Sequence, residues 1–371
     1  MTDSTQNGAP VDGGAESPTT GSGRSRWWVW VVGGVAILVI GGVIGGGITA
    51  ATASSSSSAS VCNATKVADE VLPSVVTISA TSGNTGGTGS GEVIRSDGYI
   101  MTNNHVISLA ANGGQVTVLF ANGQTAPATI TGRDPKADLA VIKVAETKAP
   151  VITFASSSNL QVGEPVVALG APLGLSNTVT SGIVSALNRT VEVPSDNGET
   201  ALLASAIQTD AAINPGNSGG ALVNCSGDLV GVPSAGATAP STGRSQSTGS
   251  IGLGFAIPSD VAKRITDEII ATGSATHSYF GLQVTPIPPS AAQEMGTPQG
   301  LYVAGVVPGS PAADAGLQEG DVITEINGTS TITSADLESF TITHAPGEKV
   351  TITYYRGGKT ATTTLTLGTQ P

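Results

Sequence analysis

Short runs of β-branched and other apolar residues, separated by turn residues, fill the chain from about residue 65 to 258. Typical runs are SVVTISA at 74–80 and EPVVALG at 164–170. Asp-Gly at 97–98 and Asn-Gly at 122–123 are dipeptides that favour β-hairpin turns. Regular short strands over this length predict an all-β region, either a pair of β-barrels or a sandwich.

The pattern then changes to one amphipathic helix and a second module. Three apolar residues recur at helical spacing: Val261, Ile265 and Ile269. We expect Ser259 to be the N-cap of this helix and Gly273 to lie just beyond its C-terminal end. From 277 to 368 strand patterns are mixed with one helix near 334–343, which predicts a small α+β domain.

A long apolar segment lies near the N-terminus. No residue from Trp27 to Ile48 has a polar side chain, and at about 1.5 Å per helical residue the segment reaches the roughly 30 Å of a bilayer core. A transmembrane helix is therefore expected at 27–50. Arg24 and Arg26 precede it, which places the N-terminus in the cytoplasm by the positive-inside rule.

The alternative is a cleaved signal peptide, because Ala-Thr-Ala at 51–53 fits a small-x-small cleavage site. Residues 1–26 are rich in Gly, Ser, Thr and Pro and are expected to form a disordered cytoplasmic tail. Residues 51–64 have the composition of a Ser-rich flexible linker. If the apolar segment is a transmembrane helix and is not cleaved, the chain is expected to be a single-pass cell-membrane protein whose folded domains are extracytoplasmic.

Composition excludes several classes of function. Of the 371 residues only 11% are charged and the net charge is −12, which argues against a nucleic-acid partner. Three histidines and two cysteines predict no metal site, and no cofactor is expected.

The two cysteines, Cys62 and Cys225, lie on the extracytoplasmic side in this topology, where disulfides persist. We expect a Cys62–Cys225 disulfide, with two free thiols or a bridge between chains as the alternatives.

Candidate chemistry begins with NPGNSGG at 214–220. A nucleophilic serine needs a base to take its proton and backbone N–H groups directed at the oxyanion that forms. Ser218 can be that nucleophile, and Gly216 can adopt the positive φ that turns an N–H inward. The alternative interpretation is an ordinary Gly/Asn turn, so partners for Ser218 are needed elsewhere.

Two segments supply such partners. His105 in TNNHV follows a predicted strand, a position suited to a fixed base. DPKADLAVIKV at 134–144 offers two aspartates to orient the imidazole. Asp138 is favoured because it begins an apolar strand, whereas Asp134 precedes a proline and is typical of a turn. The chain order His, Asp, Ser is that of the chymotrypsin class.

Several long stretches in this order resemble the HtrA/Deg family of serine proteases. They include GSGEVIRSDGYIMTNNHV, ADLAVIKV, QTDAAINPGNSGGALVN and VVPGSPAADAGLQEGDVITEING, and together they cover about residues 65–368. The resemblance implies a mainly β fold: a double β-barrel, chymotrypsin-like protease domain at 65–272 followed by a small α+β PDZ domain at 277–368. It also implies homotrimers and a role in extracytoplasmic protein quality control.

The resemblance also assigns roles to residues. Ser218 would be the nucleophile, His105 the general base and then acid, and Asp138 the partner of the imidazole. Backbone groups of the nucleophile loop would form the oxyanion hole: Gly216, Asn217 and Ser218. Three residues would line an apolar pocket for small or medium aliphatic side chains: Ala212, Ile213 and Ala256. Four residues would bind a peptide carboxylate in the PDZ domain: Tyr279, Phe280, Gly281 and Leu282.

The expected function is a membrane-anchored serine endopeptidase that degrades unfolded extracytoplasmic proteins and binds peptide C-termini through its PDZ domain. Asp210, eight residues before the nucleophile, is expected to be a structural hydrogen-bonding group. The alternative function is a PDZ-bearing chaperone or scaffold whose protease domain is silent or rarely activated.

Overall fold

A computed structural model describes residues 62–145, 148–171, 177–195, 200–238 and 250–371. The expected tail, transmembrane helix and most of the linker therefore lie outside the described residues. Within the described ranges, no helix is both long enough and apolar enough to cross a membrane. The linker was expected to extend to residue 64; in the structure Cys62 is in a disulfide and Asn63 caps a helix that begins at Ala64.

The first half of the β region forms a closed six-stranded barrel. Its strands are β1 (Val75–Ser82), β2 (Thr85–Val93), β3 (Tyr99–Thr102), β4 (Gln115–Leu119), β5 (Thr125–Asp134) and β6 (Leu139–Lys143). They pair in the order β1-β2-β3-β6-β5-β4. The Asp-Gly and Asn-Gly turns join antiparallel pairs, β2 with β3 and β4 with β5, as their sequences predict.

The second half forms another closed six-stranded barrel. Its strands are β7 (Pro165–Gly170), β8 (Thr178–Pro194), β9 (Thr200–Thr209), β10 (Ala221–Val223), β11 (Leu229–Thr238) and β12 (Ser250–Pro258). They pair in the order β7-β8-β9-β12-β11-β10. Of the two architectures that the strand pattern allowed, the chain adopts the pair of barrels and not the sandwich.

Three helices accompany the barrels: α1 (Ala64–Val71), α2 (Asn104–Ile107) and α3 (Ser259–Thr272). Buried side chains of both barrels and of α1 and α3 share one apolar cluster, which includes Met101, Leu169 and Ile265. The predicted end of α3 at Gly273 is confirmed, with φ of 87°. The predicted cap is wrong: Pro258 occupies the N-cap, and the Ser259 hydroxyl donates to Ala155 O instead.

The C-terminal module is a small α+β unit with its own apolar core. Its strands are β13 (Ser278–Tyr279), β14 (Leu282–Pro286), β15 (Leu301–Val306), β16 (Val322–Ile326), β17 (Thr329–Ser330), β18 (Lys349–Arg356), β19 (Lys359–Thr366) and β20 (Gly368–Thr369). Its helices are α4 (Pro289–Met295), α5 (Pro311–Asp314) and α6 (Ser334–Thr343). Helix α6 matches the helix predicted at 334–343, and Thr333 and Asp336 form a capping box at its start.

The C-terminal module packs directly on the barrels. Ile342 of α6 is buried in the apolar cluster that the two barrels share, and its carbonyl accepts a hydrogen bond from the Arg264 guanidinium on α3. His277 Nε2 lies 3.0 Å from Oδ1 of Asp134, the last residue of β5 before the turn to β6. Apolar packing and a buried polar contact thus join the module to both barrels and to α3.

A disulfide joins Cys62 to Cys225, with the two Cα atoms 5.1 Å apart. It connects the segment before α1 to the turn between β10 and β11. The bond is intramolecular, so the structure contains neither of the alternatives, free thiols or a bridge between chains. The sequence separation is 163 residues, and the chain-entropy model gives an upper limit of about 5 kcal/mol for such a loop.

Candidate active site

His105 and Asp138 come together at one end of the first barrel. His105 lies in α2, directly after β3, and Asp138 lies in the turn that leads into β6. His105 Nδ1 is 2.8 Å from Asp138 Oδ2 and 3.0 Å from Oδ1, and the backbone N–H of His105 also donates to Oδ1. A carboxylate only accepts hydrogen bonds, so Nδ1 carries the proton and Nε2 is the basic nitrogen.

The two aspartates of this turn have different partners. Asp138 is 1% exposed and faces His105, whose side chain is 35% exposed. Asp134 Oδ1 accepts from His277 Nε2 and from the backbone N–H groups of Lys136 and Ala137. The structure therefore places Asp138, and not Asp134, next to His105.

The nucleophile loop, residues 214–220, carries Ser218. It lies between β9 and β10 and packs on the first barrel. Gly216 has φ of 98° and Gly219 has φ of 79°, values that a residue with a Cβ rarely adopts. A Cβ on Gly219 would also collide with Ser90 O and the Thr102 hydroxyl. Glycine at 219 thus lets the loop that carries Ser218 approach the strand that leads to His105.

Ser90 of β2 holds this loop in place. Its hydroxyl donates to Gly216 O at 2.6 Å, and its backbone N–H donates to Ser218 O at 2.9 Å. The Asn217 N–H donates to Asn214 O, so Asn217 is not an available oxyanion donor, contrary to expectation. The N–H groups of Gly216 and Ser218 are the two candidate donors. The Ser218 hydroxyl donates to Ser234 O at 3.5 Å.

The three expected pocket residues differ in exposure. Ala256 is fully buried in the core of the second barrel, which corrects its assignment to a pocket wall. Ile213 is also buried, and a Cβ on Gly254 would lie 2.5 Å from its Cγ1 atom. Ala212 is partly exposed. Asp210 Oδ1 accepts from Ile183 N at 2.7 Å, which agrees with a structural role.

The expected carboxylate-binding residues lie where β13 passes into β14: Tyr279 ends β13, Phe280 and Gly281 form the connection, and Leu282 begins β14. Tyr279 pairs with Gly368, and the Phe280 side chain is buried in the core of the module. Gly281 has φ of 78°, and a Cβ there would collide with Ser310. Phe280 O accepts from Ala312 N and Gly281 O accepts from Val307 N. These bonds fix the carbonyl groups of the loop on the module's own backbone.

Three buried side chains around the site carried no distinct sequence signal. Ser90 and Asn103 lie within GSG and TNNHV, the stretches on which the family resemblance rests, and Ser234 follows Pro233 in β11. Asn103 Nδ2 donates to Asp138 O at 2.8 Å and to Ser234 Oγ at 2.6 Å. Proximity to His105 in sequence would have identified Asn103 as a candidate, but nothing in the sequence identified Ser234.

Glu92 is a further buried carboxyl group in the first barrel. It is 0% exposed, and neither carboxylate oxygen has a hydrogen-bond partner. Burial raises the pKa of Glu92 well above its ordinary value, and the smaller opposing effect of its own backbone N–H does not cancel this. Among the described residues, no group of three or more His, Cys, Asp or Glu side chains is placed so that it could hold a metal ion.

The double-barrel region and the C-terminal module each match the model of a known domain family. Residues 89–232 match the trypsin-like peptidase domain, and residues 278–367 match the PDZ domain. Together with the double barrel and the His105–Asp138 pair, they define the class: a chymotrypsin-like peptidase fold followed by a PDZ domain.

Individual relatives narrow the class to a family. The chain is 47% identical over 278 residues to serine protease PepD of Mycobacterium tuberculosis, covering 73% of this chain and 58% of PepD. It is 43% identical over 242 residues to a probable periplasmic serine endoprotease, DegP-like, of Chlamydia trachomatis, covering 65% of this chain and 46% of that protein. The chain thus spans about half the length of these curated relatives.

A solved structure gives the same result. The HtrA-type protease AlgW with tripeptide has a TM-score of 0.64 and 34% sequence identity, covering 83% of this chain and 98% of that chain. The chain belongs to the HtrA family of serine proteases.

Proposed function

We propose that this chain is a serine endopeptidase that cleaves unfolded proteins through an acyl-enzyme. The observation that carries the proposal is the His105–Asp138 pair, at 2.8 Å, beside a nucleophile loop that Ser90 fixes on the same barrel. Family membership supports the same conclusion, since the relatives are described as serine proteases.

The proposed mechanism assigns one role to each group. His105 Nε2 takes the proton of Ser218 as the hydroxyl attacks the peptide carbonyl, and then gives that proton to the leaving amine. Asp138 holds the imidazole in the required tautomer and stabilises the imidazolium. The N–H groups of Gly216 and Ser218 stabilise the oxyanion. A water molecule then attacks the acyl-enzyme, with His105 again acting first as base and then as acid, and the carboxylic acid product is released.

The first experiment tests the nucleophile. Ser218→Ala should abolish hydrolysis of casein by the full chain, because no other residue replaces the hydroxyl. The variant should keep the thermal unfolding midpoint of the wild type. Retention of even a tenth of the wild-type rate would refute the assignment of Ser218.

We also propose a preference for small or medium aliphatic side chains immediately before the cleaved bond. Ala212 places no charge at the expected pocket base, and the buried Ile213 side chain occupies the space beside Gly254, so a pocket there would be shallow and apolar. Cleavage products of a random peptide library identify the preferred residue. A dominant Lys or Arg at that position would contradict the proposal.

The C-terminal module is proposed to bind peptides that end in an apolar residue with a free carboxylate. The Phe280–Leu282 loop supports this, because its carbonyl groups are bonded internally and its left-handed Gly281 suits an anion nest. A peptide with a free C-terminus should bind the full chain, and its amidated form should bind at least tenfold more weakly. Equal binding of the two forms would refute a carboxylate site.

The setting of the enzyme is also a proposal. We propose a single-pass membrane protein in which residues 1–26 are cytoplasmic and residues 27–50 cross the membrane. The protease domain at 65–272 and the PDZ domain at 277–368 would then lie on the extracytoplasmic side. We also propose that the chain assembles as a trimer. The apolar 27–48 sequence and the disulfide support an extracytoplasmic domain, and the DegP-like relative is described as periplasmic. Protease accessibility in intact cells and analytical ultracentrifugation of the detergent-solubilised chain test topology and assembly.

A second candidate is a PDZ-bearing chaperone or scaffold whose protease is rarely switched on. One observation favours it: the Ser218 hydroxyl is directed at Ser234 O, an arrangement suited to a resting enzyme. A fluorophosphonate probe distinguishes the two functions. Labelling of Ser218 without added peptide supports a constitutive protease, whereas labelling only after peptide addition supports the second candidate.

A further inference from the structure

Asn103 connects the two barrels directly behind the candidate catalytic groups. It lies between the end of β3 and α2, two residues before His105, and its side chain is fully buried. Both amide protons are used: Nδ2 donates to Asp138 O at 2.8 Å and to Ser234 Oγ at 2.6 Å. Because a carbonyl oxygen only accepts, the contact with Asp138 fixes which side-chain atom of Asn103 is nitrogen.

The bond to Asp138 holds an unfavourable backbone conformation. Asp138 has φ of 54°, in the left-handed region that residues with a Cβ seldom adopt. Its carbonyl accepts from two donors of the adjacent segment, Asn103 Nδ2 and the backbone N–H of Asn104 at 3.2 Å. This pair of bonds orients the peptide group that follows the carboxylate, and it thereby directs the Asp138 side chain at His105.

The other bond of Asn103 reaches the second barrel. Ser234 is buried in β11, and its hydroxyl accepts from Asn103 and lies 3.4 Å from Val232 O. The carbonyl of the same residue accepts from the Ser218 hydroxyl. One side chain thus connects the Asp138 end of the candidate triad to the strand beside Ser218.

We propose that Asn103 is a positioning residue for the reaction, which holds Asp138 in its left-handed conformation and fixes the His105–Asp138 pair relative to β11. The proposal deepens the proposed protease function and rests on it. Asn103 does not touch substrate; it acts through Asp138 and Ser234.

The main test is Asn103→Ala in the full chain. We expect kcat on casein to fall by roughly 10- to 100-fold with KM within threefold, since a 1 Å misplacement of catalytic groups can cost about 10²-fold. The acidic limb of the kcat/KM profile should also move to lower pH. A less well-placed Asp138 stabilises the His105 imidazolium less, so the base loses its proton at lower pH.

The other charged groups of this region remain in place in the variant. Arg133 donates to Asn104 Oδ1 at 2.9 Å, and Asp134 is bonded to His277. Asn103→Ala removes neither of these bonds, so a shifted limb reports the His105–Asp138 pair. An unchanged pH profile would overturn the proposal.

Two variants separate positioning from a general loss of buried hydrogen bonds. Thr77→Val is the matched control, because the buried Thr77 hydroxyl donates to Ala171 O at 2.6 Å and also connects the two barrels. This bond lies on the Ser90 side of the site, where the Ala171 N–H donates to Ser90 Oγ, and not on the Asp138 side. Thr77→Val should lower stability without moving the pH profile. Ser234→Ala removes only the second bond of Asn103, so its loss of kcat should be smaller than that of Asn103→Ala. Equal shifts of the pH profile in Thr77→Val and Asn103→Ala would overturn the proposal.

A measurement independent of turnover separates this proposal from the proposed function. The proton between His105 Nδ1 and Asp138 gives a far-downfield proton NMR resonance, which can be followed in a Ser218→Ala background. Adding Asn103→Ala should shift or broaden it, whereas adding Thr77→Val should not. If the wild type fails to cleave casein but the resonance responds, the protease function fails and the positioning role stands. If Asn103→Ala does not fold, Asn103→Ser, too short to reach both partners, gives the same readouts.

Discussion

Two aspartates in one turn each bind a histidine, yet the two pairs are built differently. Asp138 meets His105 at one end of the first barrel, where the imidazole is 35% exposed. Asp134 meets His277 in the contact between the first barrel and the C-terminal module, where the imidazole is only 8% exposed. His277 Nδ1 and Asp134 Oδ2 are both buried without hydrogen-bond partners, whereas both oxygens of Asp138 are close to His105 Nδ1.

The difference shows that an Asp–His pair is not a catalytic feature in itself. A general base needs a nitrogen that substrate can reach, which the exposed side of His105 provides and the enclosed His277 does not. The Asp134–His277 pair fastens the C-terminal module to the turn that carries Asp138. One turn therefore serves both the candidate chemistry and the attachment of the second domain.

The largest expected effect is that of Asp138→Asn. The amide would donate to His105 Nδ1 and so favour the wrong tautomer, and kcat on casein should fall by about 10⁴-fold. The fold should be retained, because asparagine tolerates the left-handed backbone of this position better than most residues. Thermal unfolding and casein hydrolysis measure the two effects, and a loss of less than tenfold would place the imidazole's partner elsewhere.

Glu92 extends the comparison to a buried carboxyl group whose oxygens accept no hydrogen bond from a histidine. Its pKa is raised in the folded protein, so its contribution to stability is fully present below the ordinary value of 4.5 and is lost as pH rises through the raised pKa. Glu92→Gln cannot ionise, so the excess stability of the variant over the wild type should grow with pH. Urea unfolding between pH 4.5 and 8 measures this difference.

Two further variants give reference values for the change in stability at Glu92. Glu92→Met removes the unsatisfied polar group and should stabilise the fold by about 1–3 kcal/mol at pH 8. Glu70→Gln makes the same charge change on the exposed surface of α1, where Glu70 pairs with Lys66, and should alter stability by less than about 0.5 kcal/mol. A stability difference between Glu92→Gln and the wild type that stays constant with pH would show that Glu92 does not titrate in the folded state.

Among these three buried carboxyl groups, the smallest expected effect is that of Asp134→Asn. The new Oδ1 can still accept from His277 and from the two backbone N–H groups of the turn, so stability should change by about 1 kcal/mol or less. Casein hydrolysis should stay within threefold of the wild type. A loss of activity as large as that of Asp138→Asn would mean that the two pairs are not functionally distinct.

The sequence by itself determined the local features of this protein. Strand periodicity and the hairpin dipeptides predicted the β region, the i, i+4 spacing and Gly273 predicted α3, and two cysteines allowed a single intramolecular disulfide. His105 and Ser218 were found because loops with Gly and Asn next to strand ends are short-range signals. The order of the motifs, together with the family resemblance, then indicated the double barrel.

The tertiary structure alone decided which groups meet across the chain. Asp134 and Asp138 are four residues apart, at the two ends of the turn between β5 and β6. The packing of the C-terminal module brings His277 to Asp134, whereas the pairing of β3 with β6 in the first barrel brings His105 to Asp138. Ser259 was expected to cap α3, but its hydroxyl found Ala155 O, 104 residues away. Asn103 and Ser234 are 131 residues apart and meet only when both barrels close. Such contacts depend on long-range burial, because a buried donor must find whichever acceptor the fold brings within about 3 Å, and no local pattern encodes that choice.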